Sequence, residues 1–150
     1  MRIVIDMQGA QSDGSRNRGI GRYSLSLAKA IARNRGDHEI FLALNGFFPE
    51  SIEVIRSAFD GLLPQQNIRV WFAPGPVSNI NSANDWRRLC AELVREAFLD
   101  NLKPDVVLLS SLFEGLTDDA VTSIGELSNG VPTAAILYDL IPLIYRQHYL

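Results

Sequence analysis

The residues best placed to do chemistry fall in one stretch, residues 6–24 (DMQGAQSDGSRNRGIGRYS), between an apolar run and a helical pattern. Gly19 and Gly21 mark the point where a loop feeds a helix start, and Arg16, Arg18 and Arg22 surround them. The first amides of a helix lack intrahelical partners and carry the positive end of its dipole, so they welcome a phosphate or a sugar hydroxyl. Glycines let a ligand approach the backbone, and guanidinium forks match phosphate oxygens. Charge agrees: up to Arg35 seven basic residues face two acidic ones, a net +5 that leaves -8 for the remainder. Positive potential therefore gathers at the glycine loop and suits a phosphorylated ligand.

Other chemistries are thin. Asp6 closes an apolar run and can act as an acid or base, or orient the loop through N–H bonds; Asp139 has the same two readings. Glu114, in a loop after a buried-looking strand, is the carboxylate least expected from folding needs. The sequence has no G-x-S-x-G elbow and no Gly-Lys-Ser/Thr phosphate loop, and His38 and His148 lack metal-ligand spacing, so no metal is expected. One cysteine, Cys90, excludes a disulfide framework and reads as a small buried hydrophobe. Residues 19–24 (GIGRYS) come within one residue of the dinucleotide fingerprint, which keeps a nicotinamide-dependent oxidoreductase in view. Two details oppose it: the glycines do not follow the first strand directly, and residues 44–46 (LNG) offer no acidic residue after the second.

The elements that must position these groups follow from periodicity. Residues 3–5, 38–44, 68–72, 105–109 and 131–137 are short, apolar and β-rich, and read as five buried strands. Between them lie helical patterns. One follows Ile20, and a second runs from Pro49 through Phe59 to Leu62. The third carries Trp86, Leu89, Cys90, Leu93, Val94, Ala97 and Phe98 as one apolar stripe expected to face the core, and a fourth, shorter one runs from Thr117 to about Leu127. Alternating strands and helices predict an α/β fold with an open parallel sheet, helices on both faces and ligands at the strands' C-terminal ends. At 150 residues the chain is one domain, 1–150. No apolar run approaches the roughly 20 residues that span a bilayer, so a cytoplasmic protein is expected. The still-apolar residues before Leu150 read as a cut inside a longer chain.

The opening MRIVIDMQGAQ followed by GIGRYSLSLAKAIAR, then HEIFLALNG, SSLFEGL and LYDLIP, resembles the N-terminal, acceptor-side domain of GT-B glycosyltransferases of the family 4 type, especially bacterial O-antigen and polysaccharide mannosyltransferases. The resemblance implies one half of a GT-B enzyme, in which a Rossmann-like domain holding a glycan or lipid-linked glycan acceptor faces a nucleotide-sugar-binding domain that is not in this sequence. It implies a donor such as GDP-mannose, a retained anomeric configuration, a possible peripheral contact with the inner face of the membrane, and no nucleic-acid partner. It places Gly19, Gly21 and Arg22 beside the donor diphosphate, and Ser111, Phe113, Glu114 and Gly115 beside the acceptor. Tyr138 and Asp139 stand where many relatives carry a catalytic His-Asp pair, and a phenol there fits positioning better than proton transfer near neutral pH. By this resemblance the chain alone does not turn over. A non-catalytic carbohydrate- or nucleotide-binding module remains a further alternative.

Overall fold

The computed structural model describes residues 1–126 and 130–138, together with Ile144 and Gln147. Five parallel strands, β1 (Arg2–Asp6), β2 (Glu39–Asn45), β3 (Ile68–Trp71), β4 (Val106–Leu109) and β5 (Thr133–Ala135), form one sheet in the order β3-β2-β1-β4-β5. The reversal of strand order beside β1 makes this a Rossmann-like sheet, with the crevice outside the ends of β1 and β4 as the place for a ligand.

Alternation along the strands serves both faces. Ile5, Leu42 and Leu44 join Ala28, Ala32, Ile55 and Phe59 in a cluster under the helices α2 (Gly19–Arg33) and α3 (Pro49–Ala58). The intervening Val4, Phe41 and Ala43 pack with Val107, Leu109 and Leu99, the last on α4 (Asp85–Asn101). With both faces covered, the strands read as continuous apolar runs. Each fully buried side chain of this size, such as Phe59, contributes about 1.5–3 kcal/mol.

Four expectations are corrected. The segment after β1 is not all loop, because Gln8–Gln11 makes one helical turn, α1. The apolar stripe of α4 faces outward from Trp86 to Val94, with Trp86 62% and Leu89 52% exposed and Cys90 exposed as well, and only its end at Phe98 packs on the core. The buried side of α4 carries Ala91, Arg95, Glu96 and Leu99 instead. Arg95 decides this orientation: its guanidinium donates from Nε and Nη2 to Asp6 Oδ2 at 2.9 and 2.5 Å and from Nη1 to the Ser123 carbonyl at 2.8 Å. Residues 117–126 are not helical. There Asp119 Oδ1 accepts from the Val77 and Ser78 amides and pins the long loop after β3, which leaves Val77 fully buried.

The ends of β1 and β2 are joined by a buried amide lattice. Gln8 Oε1 accepts from Asn45 Nδ2 and the Val121 amide, and Gln8 Nε2 donates to Asp6 Oδ2. Gln11 exchanges two hydrogen bonds with the Asn45 main chain and donates to Ser51. Buried amides must be paired, and here they pair with one another across three elements.

Candidate functional site

A cavity of about 320 Å³ opens beyond the C-terminal ends of β1 and β4. One wall is the turn that leads from α1 into α2, with Ser12, Ser15, Arg18 and Ile20; the other is the segment after β4, from Ser111 to Asp118. Tyr138, just past β5, closes the back.

The first wall is a tight turn. Ser12 O accepts from the Ser15 and Arg16 amides, and Ser15 O accepts from the Arg18 and Gly21 amides. Gly21 is therefore not the ligand-facing glycine that its sequence position promised: its amide is bonded at 3.0 Å, it is buried, and a Cβ there would stand 2.4 Å from Arg16 Cα. Its missing side chain serves the packing of the turn on the helix. Gly19 is the reverse case. It is exposed, and among the described residues nothing beyond its chain neighbours and its own helix backbone lies within 4 Å of where a Cβ would sit and no side chain caps the helix it opens. Arg18, the residue before the helix, lines the cavity. Arg22 does not; it opens onto a separate cleft between α2 and α3, shared with Arg16, Leu25 and Glu50. Arg16 is itself paired with Asp13 and Glu50.

The second wall centres on Glu114. Its Oε1 accepts from Ser15 Oγ at 2.6 Å and Ser111 Oγ at 2.8 Å, and Oε2 accepts from Ser12 Oγ at 2.7 Å. Three buried hydroxyls thus converge on one carboxylate and clamp the two walls together. Asp118 reaches the same place, its Oδ2 lying 2.5 Å from Ser12 Oγ. Phe113, 46% exposed, and the exposed Leu116 give the cavity an apolar lip. Gly115 has φ +92°, and a Cβ on it would lie 2.1 Å from the Ala120 carbonyl oxygen, so glycine is required for the turn itself.

Tyr138 spends its hydroxyl inside the protein. The phenol donates to the Ser110 carbonyl at 2.8 Å and accepts from Ser24 Oγ at 2.9 Å, the Ser24 hydrogen being shared with the Ile20 carbonyl at 2.8 Å. Burial pushes the phenol above its ordinary value of 10.0, with the nearby Tyr23 and Glu114 adding to the rise against the Ser24 hydrogen bond. It is therefore a neutral tether between β4, β5 and the first turn of α2, its ring edge-on to Tyr23. Asp139 lies outside the described residues. Asp6 is committed to Arg95 and the Gln8 amide, which leaves it no free role in proton transfer.

Of the residues the sequence singles out, Ser111, Phe113, Glu114, Gly115 and Tyr138 line this cavity, and Ser12, Ser15 and Asp118 join them without a signal in the sequence. Their partners are about a hundred residues away in the chain, beyond the reach of any local spacing rule. The dinucleotide alternative loses its geometry. Gly19 is separated from β1 by α1 and the serine turn, and Asn45, at the end of β2, has its side-chain amide engaged by Gln8 and the Asp119 carbonyl. Among the described residues no group of three or more His, Cys, Asp or Glu could hold a metal ion. No helix among them is long and apolar enough to cross a membrane.

No protein-family model matches the chain, and no solved structure does. Curated proteins do. The chain is 35% identical over all of its length to a serotype-specific mannosyltransferase, WbdA, of Escherichia coli, covering 18% of that protein. Two further Escherichia coli proteins of the same name match 83% of the chain at 31% and 32% identity, across 15% of their own lengths. The chain thus spans less than a fifth of the curated relatives it matches, and from end to end it is similar to a segment of a mannosyltransferase.

Proposed function

We propose that this chain is the acceptor-side, Rossmann-like domain of a retaining GT-B glycosyltransferase of the family 4 type, and that the whole protein transfers a mannosyl group from GDP-mannose to a lipid-linked glycan at the cytoplasmic face of the membrane. The observation that carries the reading is the cavity at the ends of β1 and β4, floored by serine hydroxyls and carboxylates and flanked by an open helix start. The likeness to mannosyltransferases supports the choice of sugar.

In this reading the Gly19 and Ile20 amides, with Arg18 beside them, meet the donor diphosphate. Gly21 supports that turn from behind, and Arg22 contributes positive potential from the neighbouring cleft. Ser111, Phe113, Glu114 and Gly115 border the acceptor: the carboxylate takes hydroxyl hydrogen bonds, and the Phe113 ring offers an apolar face to sugar C–H groups. Tyr138 positions the wall without exchanging its proton, and Asp139 follows it as the second member of the pair. The acceptor oxygen bonds to the anomeric carbon as the bond from that carbon to the phosphate oxygen breaks, and the acceptor proton passes to the departing phosphate. The metal-free phosphate site rests on amides and guanidinium alone.

Amide-resolved NMR of the chain tests this. GDP-mannose is expected to shift Gly19 and Ile20, and methyl α-D-mannopyranoside residues 111–115. Absence of shifts at both places, or tight NADH binding centred on residues 19–24, refutes the proposal.

A further inference from the structure

On the cavity lining one hydroxyl stands between two carboxylates. Ser12 has one hydroxyl hydrogen and stands 2.7 Å from Glu114 Oε2 and 2.5 Å from Asp118 Oδ2, so at any instant one of those carboxylate oxygens faces a lone pair. The remaining oxygens are supplied: Glu114 Oε1 by Ser15 and Ser111, and Asp118 Oδ1 by the Ala120 amide at 3.2 Å. The carboxylate oxygen that Ser12 leaves open therefore sits on the cavity lining. Among the described residues the only guanidinium on that lining, Arg18, belongs to the opposite, helix-start wall.

We propose that Asp118 is a specificity-determining residue of the acceptor site: it takes a hydroxyl hydrogen from the incoming sugar and keeps anionic groups away from the Ser12 end of the cavity. A ligand hydroxyl placed there donates to the oxygen that Ser12 leaves open. A carboxylate or phosphate there brings more acceptors and a like charge against two carboxylates in a partly desolvated site, where such repulsion is strong. The cavity is thereby polarised, hydroxyl donors toward Asp118 and phosphate toward Arg18 and Ile20. This assignment rests on the cavity being the acceptor site. It adds a residue that sequence reading placed in the first turn of a helix.

The test compares two probes on the chain, methyl α-D-mannopyranoside and the corresponding methyl mannopyranosiduronate, by NMR titration. The neutral probe is expected to bind at least about tenfold more tightly. Asp118→Asn should bring that ratio below about threefold, Asp118→Glu should keep it, and 0.5 M NaCl should lower it in the unmodified chain by screening. Equal binding of both probes, or a ratio unchanged by Asp118→Asn and by salt, overturns the role of Asp118 while leaving the acceptor site standing. Failure of both probes to shift residues 111–118 overturns the acceptor site and this assignment with it. The salt measurement needs no variant and so stands even if a substitution disturbs folding.

Discussion

The two glycines of the helix start are expected to respond oppositely to alanine, and the contrast separates a packing role from a ligand-facing one. At Gly21 a Cβ would stand 2.4 Å from Arg16 Cα and 2.5 Å from both the Arg16 and Ser15 carbonyl oxygens. All three are main-chain atoms, so no side chain can swing aside. Ordinary contact begins at 3.4 Å, and the serine turn would have to retreat by about 1 Å. Overpacking of this kind costs about 1–3 kcal/mol. The Gly21 amide bond to Ser15 O, stretched by the same retreat, adds about 1 kcal/mol. For a chain of this length each kcal/mol lowers Tm by about 2–4 °C, so Gly21→Ala should lower it by about 4–16 °C. Gly19→Ala meets nothing within 4 Å and should leave Tm unchanged or raise it by a few degrees, since alanine narrows the unfolded ensemble. The assay is thermal unfolding followed by circular dichroism on the three proteins side by side. An unchanged Tm for Gly21→Ala, or a loss for Gly19→Ala as large as that for Gly21→Ala, refutes this account of the turn.

Two further outcomes follow from buried charge. Arg95→Met strands the Asp6 carboxylate, whose side chain is only 4% exposed, and should cost about 3–5 kcal/mol in denaturant unfolding, with much of the loss recovered when Asp6 is also replaced by Leu. A cost below 1 kcal/mol would show that the pair does not set the orientation of α4. Glu92 has its carboxyl raised above the ordinary 4.5, chiefly by burial and against the pull of Arg88. The protonated form is the better tolerated in the fold, so this group's contribution is complete below 4.5 and is lost as pH rises through the higher folded value. The stability of Glu92→Gln relative to the parent should therefore increase with pH just above 4.5; a difference that stays flat across that interval refutes it.

The sheet was legible because each strand is a short apolar run set off by turn residues, and because a two-faced parallel strand leaves no other pattern. The orientation of α4 was not. Its Trp86, Leu89, Leu93 stripe has perfect helical spacing, but periodicity says only that residues share a face, not which face is inside. The deciding contact, Arg95 with Asp6, joins residues 89 apart in the chain. The same limit explains residues 117–126: Thr117-Asp118-Asp119 looks like a helix cap, yet Asp118 and Asp119 give their carboxylates to Ser12 and to the Val77 and Ser78 amides. Of the site, the helix start and the Glu114 wall could be found from strand ends and loops. Which glycine was open could not, because it depends on how the serine turn folds back.

The interlocked glutamine and asparagine side chains behind the cavity bear on how affinities there should be interpreted. They fix the relative height of β1 and β2 and the start of α1 before anything arrives. Little reorganisation of that support is left to binding, so differences among ligands should reflect fit and solvation at the mouth, and substitutions in the surrounding loops should retune preference without loosening the scaffold beneath.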